Sequence, residues 1–121
     1  ICYTSFEYEA EKAPSKKYTT KDTVNVIVKV KNTGKIDGDE VVQAYIQYPQ
    51  VDRMPVKELK GFKRVSVTKG GEQSVAIKIP VKDLQKWDLK THGWKTYPGA
   101  YKLVLGSSSQ DDKLDFAFTI N

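Results

Sequence analysis

The sequence holds little of what most active sites are built from. It has one cysteine, Cys2, one histidine, His92, and one methionine, Met54, among 121 residues. A single cysteine excludes an internal disulfide and a cysteine-rich metal site, and no base stands near Cys2 to make it a nucleophile. Asp88, His92 and Ser107 supply the residue types of a hydrolytic triad. No serine, however, lies in the glycine pattern of a nucleophile elbow. The apolar runs fall far short of the roughly 20 residues that span a bilayer as a helix, and no stretch reads as a signal peptide. Membrane insertion is therefore not expected, and nothing in the sequence asks for a cofactor.

Charge is not scarce, but it is mixed. Twenty Lys and Arg stand against 15 Asp and Glu, a net charge of +5. The lysines are spread along the chain and interleaved with acids, the pattern of a solvated surface rather than a nucleic-acid footprint. At 121 residues with 39% hydrophobic content, residues 1–121 are read as one domain able to bury a core unaided. With Ile1 leading into strand-like residues, the chain is expected to be a piece of a longer protein.

What is present is period-two alternation. Val24, Val26, Val28 and Val30 alternate with Asn25, Ile27, Lys29 and Lys31, a strand with one buried face. Residues 32–40 read as a turn-forming segment, and Val42, Ala44 and Ile46 mark the next strand. A link of that length is too long for a tight hairpin and suits a crossing between sheets. Further strands are read at Tyr3 to Tyr8, Val56 to Val67, Gln73 to Ile79, Tyr101 to Leu105 and Leu114 to Ile120, with a short one at Trp94 to Tyr97. Loops are expected at Glu9 to Lys21, Pro49 to Pro55 and Ser107 to Asp112, and a two-turn helix at Val81 to Trp87. About seven strands with almost no helix predict an all-β, antiparallel, immunoglobulin-like Greek-key sandwich, with a barrel as the weaker alternative. Tyr101, just after Pro98-Gly99, is a candidate tyrosine corner.

Three stretches carry a family resemblance. They are Val30 to Gln43 around Asn32-Thr33-Gly34 and Asp37-Gly38-Asp39, then Pro55 to Val65 around Lys60-Gly61-Phe62, then Pro98 to Ser109. Asp83-Leu84 and Trp87-Asp88 lie between the last two. In this order they closely resemble the C-terminal fibronectin type III-like domain of glycoside hydrolase family 3, the β-glucosidase and β-xylosidase family. The resemblance runs from about Tyr3 to the end and implies a seven-stranded fibronectin type III-like sandwich. It implies a parent enzyme, extracellular or periplasmic, that cleaves terminal β-glucosyl or related residues by a retaining mechanism with an Asp nucleophile and a Glu acid/base. Both catalytic residues would lie upstream, so none is carried over here. The implied role is an accessory domain bracing the catalytic domains of its own parent chain.

Competing readings remain at particular residues. Lys60-Gly61-Phe62 resembles the opening of an RNA-recognition-motif signature, but Lys63-Arg64 break it and the fold's helices are absent. Asp37, Asp39 and Glu40 lack EF-hand spacing and are read as a solvated turn rather than a Ca²⁺ loop. Exposed Trp87, Trp94, Tyr97 and Tyr101 would make a carbohydrate-binding module for β-linked oligosaccharide or polysaccharide; buried, they would fill the core beneath the short helix or a domain interface. Phe62, Trp87, Trp94 and Tyr97 are accordingly the candidate carbohydrate or domain-interface residues. One stability prediction follows from the alternation. Val28→Asp places an unpaired carboxylate among the valines and is expected to abolish cooperative unfolding by circular dichroism; a folded variant of near-normal melting temperature would contradict the strand assignment.

Overall fold

The valine alternation at 24–30 does form a strand, and its neighbours explain why it is central. The computed structural model describes residues 4–49, 57–107 and 112–121. Within it β3, Thr23–Asn32, lies between β1, Phe6–Lys12, and β6, Glu72–Pro80, in an antiparallel three-stranded sheet. The second sheet runs β2 (Lys17–Tyr18), β10 (Asp112–Ile120), β9 (Gly99–Gly106), β4 (Gly38–Gln47), β5 (Lys57–Val67). A small separate hairpin is made by β7, Lys86–Asp88, and β8, Gly93–Lys95. Apart from the two-residue β2, seven strands fill the two facing sheets, the sandwich that the alternation predicts. The chain visits the second sheet briefly at β2 between β1 and β3, and then crosses from β3 to β4, from β5 to β6 and again from β6 to β9.

The core lies between the sheets. Val24, Val26, Val28 and Val30 from one side meet Val42, Ala44, Ile46, Leu103 and Leu105 from the other, all essentially solvent-free. Each such valine, leucine or isoleucine contributes about 1.5–3 kcal/mol by burial. Aromatic rings close one end: Tyr101 stacks on Phe118 at 5.6 Å, and Tyr18 meets Phe118 edge-on at 5.5 Å.

Several local expectations are corrected. The loop expected at Glu9 to Lys21 contains the second half of β1 and all of β2, which pairs in parallel with the end of β10. Beyond Tyr8 the edge strand β1 buries almost nothing, so hydropathy carries no sign of it. It is held instead by ladder pairing with β3, with Glu7 opposite Lys31 and Glu9 opposite Lys29. The helix expected at Val81 to Trp87 is a single 3-10 turn, Val81–Leu84, which buries Val81 and Leu84 and then gives way to β7. The expected turn at 32–40 ends early, because β4 begins at Gly38 and takes Asp39 and Glu40 into the ladder. The readings at Cys2, Tyr3, residues 50–56 and residues 108–111 lie outside the described residues.

One buried polar residue ties the crossing together. Asn32 has no solvent exposure. Its amide nitrogen donates to the carbonyls of Ile36 at 2.9 Å and Val67 at 3.0 Å. Its Oδ1 accepts from Thr4 Oγ1 at 2.6 Å and from the Gly34 amide at 2.9 Å. Both donors and both lone pairs are thus used, the full capacity of the side chain. Gly34 is required beside it, since a Cβ there would come 1.8 Å from Thr4 Oγ1 and 2.8 Å from Thr4 Cα. Asn32→Asp keeps the shape but turns two donors into acceptors facing carbonyls, and is expected to cost at least about 2 kcal/mol in urea unfolding. Gly34→Ala is expected to cost about 1–3 kcal/mol through the same contact. Near-wild-type midpoints for both would show that this junction carries no load.

Candidate functional site

The β7–β8 hairpin is short, but its chemistry is dense. In its three-residue ladder Trp87 pairs with Trp94, between Lys86–Lys95 and Asp88–Gly93. The indoles meet edge to face, centroids 5.6 Å apart and planes at 82°. Trp87 is 49% exposed and Trp94 67% exposed, and Leu89 beside them is also open to solvent. The expectation of tryptophans filling the core beneath a helix is therefore corrected: no helix follows the 3-10 turn, and both rings stand on the surface. In sequence each Trp is flanked by a charged residue, Lys86-Trp87-Asp88 and Trp94-Lys95. That flanking is the signal of a strand too short to bury either face.

The hairpin is nevertheless firmly held. Asp88 turns inward and accepts from the Thr91 amide at 3.1 Å, the Thr91 hydroxyl at 2.7 Å and the Tyr97 hydroxyl at 2.9 Å. The bonds from Thr91 and Tyr97 hold its carboxyl below the usual range, and the same bond raises the Tyr97 phenol. His92 closes the turn at φ 53°, in the left-handed region costly for a side chain. Half-buried Tyr97 links onward, because its carbonyl accepts the Tyr101 hydroxyl at 2.5 Å. Tyr101 is thus the tyrosine corner, its phenol pushed up to about 12 by burial.

A second tie fixes the hairpin to β5. Lys86 Nζ reaches both Glu58 oxygens, at 2.8 and 2.7 Å, and Lys60 Nζ lies 2.6 Å from Oε1. The Tyr48 hydroxyl donates to the same carboxylate at 3.2 Å. Burial alone would raise the Glu58 pKa, but hydrogen bonds from Lys60 and Lys86 outweigh it and bring it to about 2. Tyr48 is driven upward by burial and by the facing Glu58 charge.

Phe62 lies elsewhere, on β5. It is 66% exposed, on the outer face of the five-stranded sheet, with Leu59 on the same strand. Opposite them in register are Gln43 and Tyr45, and Tyr45 pairs in turn with Val104, which is buried although it belongs to no part of the core between the sheets. Lys57 covers the Tyr45 ring at 4.7 Å. The structure thus gathers Trp87, Trp94 and Tyr97 in one unit and sets Phe62 apart.

Among the described residues, Glu58, Asp88, Glu40, Asp37 and Asp39 are each engaged in separate places. Retaining glycoside cleavage needs two of them about 5–5.5 Å apart beside a sugar-sized cleft. Glu58 is neutralised by two lysines, Asp88 is fully bonded, and Glu40 is buried with the Tyr8 hydroxyl against it. Asp37 caps the Lys69 amide at 2.8 Å, while Asp39 accepts from Ser66 at 2.7 Å and faces Arg64. The three acids read as one solvated turn therefore diverge. Among the described residues no group of three or more His, Cys, Asp and Glu is placed to hold a metal ion, and no helix is long and apolar enough to cross a membrane. The residue types of a triad are dispersed in role: both Asp88 oxygens are occupied, His92 is exposed, and Ser107 is buried. An open groove of about 360 Å³ beside β2 offers Asp22 among Lys12, Lys17, Tyr18 and Asn25, and Asp22 is engaged by the Thr19 amide at 2.7 Å.

Comparison with known proteins gives this geometry a context. The family described as fibronectin type III-like domain matches residues 40–109, more than half of the chain. Probable beta-glucosidase D of Aspergillus niger is 41% identical over 96 residues, covering 79% of this chain and 13% of that protein. Beta-glucosidase BoGH3A of Bacteroides ovatus is 38% identical over 112 residues, covering 92% of this chain and 15% of that protein. The crystal structure of beta-glucosidase from Listeria innocua in complex with glucose superposes with a TM-score of 0.88 at 28% identity, over 98% of this chain and 16% of that chain. The chain thus spans about one-seventh of the length of the curated relatives it matches.

The Glu58 cluster makes a pH prediction. Its native pKa of about 2 lies below the ordinary 4.5, so the folded state binds fewer protons than the unfolded state between those values. The stabilisation is complete above about pH 5 and is lost as pH falls toward 2. Part of the cluster is solvated, so the effect is expected to be about 1–2 kcal/mol. The urea-unfolding difference between wild type and Glu58→Gln should shrink by that amount from pH 6 to pH 2.5; a difference independent of pH would contradict it.

Proposed function

The chain belongs to the fibronectin type III-like domain family, as it occurs in glycoside hydrolase family 3 enzymes, and from that premise we propose that it is a non-catalytic accessory domain of a β-glucosidase-type glycosidase, bracing the catalytic domains of its own parent chain by protein–protein contact. The observation that carries this reading is the end-to-end match: 98% of the chain superposes on 16% of a much longer β-glucosidase. A domain matched whole, as a small share of a longer enzyme, is a unit attached to the machinery.

The site chemistry supports the same reading. Glu58, Asp88 and Glu40 are committed to ties within the fold. The outer faces of the two sheets also differ. Charged residues such as Glu7, Glu9, Lys29 and Lys31 cover the outer side of the three-stranded sheet, whereas Leu59, Phe62, Tyr45 and Val104 mark the outer side of the five-stranded one. Carbohydrate stacking is less well supported. A flat row of open rings favours stacking on a sugar face, and the two indoles stand at 82° to each other.

The purified chain is expected to show no release of nitrophenol from an aryl β-glucoside above the buffer blank. Turnover that survives purification and disappears on Asp22→Asn or Glu40→Gln would overturn the reading.

A further inference from the structure

We propose that the β7–β8 hairpin, with Trp87, Trp94 and Leu89 at its exposed surface, is the element that docks this domain onto an acidic, apolar-lined surface of the catalytic domains in the same chain. The proposal rests on the accessory-domain reading and adds the surface and the chemistry of its partner.

Three observations carry it. The first is exposure without looseness. Two indoles stand about half and two-thirds open to solvent, on a hairpin pinned by Asp88 to Thr91 and Tyr97 and by Lys86 to Glu58 on β5. Aromatic anchors fixed before contact lose little entropy on binding, and tryptophan is the residue most enriched among strong interface anchors.

The second is charge. The segment 86–95 carries Lys86, Lys90 and Lys95 against one carboxylate, Asp88, already bonded within the hairpin. Lys86 is spent on Glu58, and Lys95 lies over the Tyr97 ring at 4.9 Å. Lys90 and Lys95 are exposed beside the indoles, so the complementary surface is acidic around an apolar centre.

The third is size, which selects an occupant in the same chain. Two partly open indoles and a leucine offer roughly 300–400 Å² of apolar surface. A stable interface between separate proteins needs about 800 Å² per partner. Covalent attachment supplies an effective concentration in the millimolar range, at which a patch of this size suffices. The matched relatives carry most of their length outside this domain.

The test uses the full-length glycosidase carrying this domain, studied by scanning calorimetry. Four forms are compared: wild type, Trp87→Ser with Trp94→Ser, Lys90→Glu with Lys95→Glu, and Leu59→Ser with Phe62→Ser as the control on the other apolar face. Wild type is expected to unfold this domain together with the catalytic domains. The tryptophan variant is expected to split off a separate transition about 5 °C or more lower, and the charge-reversal variant to lower it by less. The Leu59/Phe62 variant is expected to lower the transition by less than the tryptophan variant and not to split it. If only the Leu59/Phe62 variant splits the transition, the proposal is wrong while the bracing role stands. If the wild-type domain already melts independently, the bracing role itself fails. If the tryptophan variant leaves the transition intact but abolishes quenching of tryptophan fluorescence by cello-oligosaccharides, the hairpin is a sugar site and the docking proposal is overturned.

Discussion

Four hydrogen bonds on the side chain of Asn32 decide how this chain can fold. At that residue β3 leaves one sheet and the chain heads for the other. A crossing exposes backbone groups that neither ladder can satisfy. Asn32 answers the carbonyls of Ile36 and Val67 and the amide of Gly34, and also holds Thr4 ahead of β1. Its own backbone continues the junction, bonding to Gly71 through N–H and to Gly70 through C=O. The lead-in, the crossing and the turn after β5 are thus fixed relative to one another by one buried residue. A hydrophobic residue of the same size would fill the space and leave those groups without partners.

The opposite end of the sandwich is tied by a different chemistry. There the Tyr101 hydroxyl holds the Tyr97 carbonyl, Tyr97 holds Asp88, and Lys86 holds Glu58. This chain of bonds runs from the core through the hairpin to the edge strand β5. Its consequence is mechanical. The aromatic hairpin is tied to the five-stranded sheet at two strands, β9 through Tyr97 and Tyr101 and β5 through Lys86 and Glu58, so a contact made through Trp87 and Trp94 bears on that sheet. A loop of the same composition without Asp88 and Glu58 would offer the same rings with no such connection.

How much of this is legible in the sequence depends on whether burial leaves a period. The valines of β3, and the alternations at 41–48 and 114–120, face a dry core and reveal both strand and inward face. Tyr101 is readable because a tyrosine just after Pro-Gly at a strand start has a specific structural use. The start of β1 is legible through Phe6 and Tyr8, but its continuation to Lys12 escapes notice because an edge strand held by backbone pairing and Glu–Lys register has no hydrophobic stripe there. Trp87 and Trp94 mislead for the opposite reason: a large aromatic residue near a helix-like pattern is more often core, and only the charged neighbours, Lys86 and Asp88 of Trp87 and Lys95 of Trp94, hint at exposure. Glu58 is the hardest case. Lys60, two residues on along the same strand, is a local cue, but Lys86 lies 28 residues away in sequence and only the fold brings it to the carboxylate that is held near pKa 2. The family resemblance supplies what periodicity does not, the multidomain context, and the end-to-end match to longer β-glucosidases agrees with it.

Amide hydrogen exchange, followed by mass spectrometry on the full-length glycosidase and on this chain alone, tests the bracing role most directly. The account predicts slower exchange across residues 86–95 in the full-length protein than in the isolated domain, with β1, whose outward face carries the exposed Glu7 and Glu9, unchanged. Equal exchange throughout, in two preparations that are both folded, would mean that the domain is attached to the enzyme but does not rest on it.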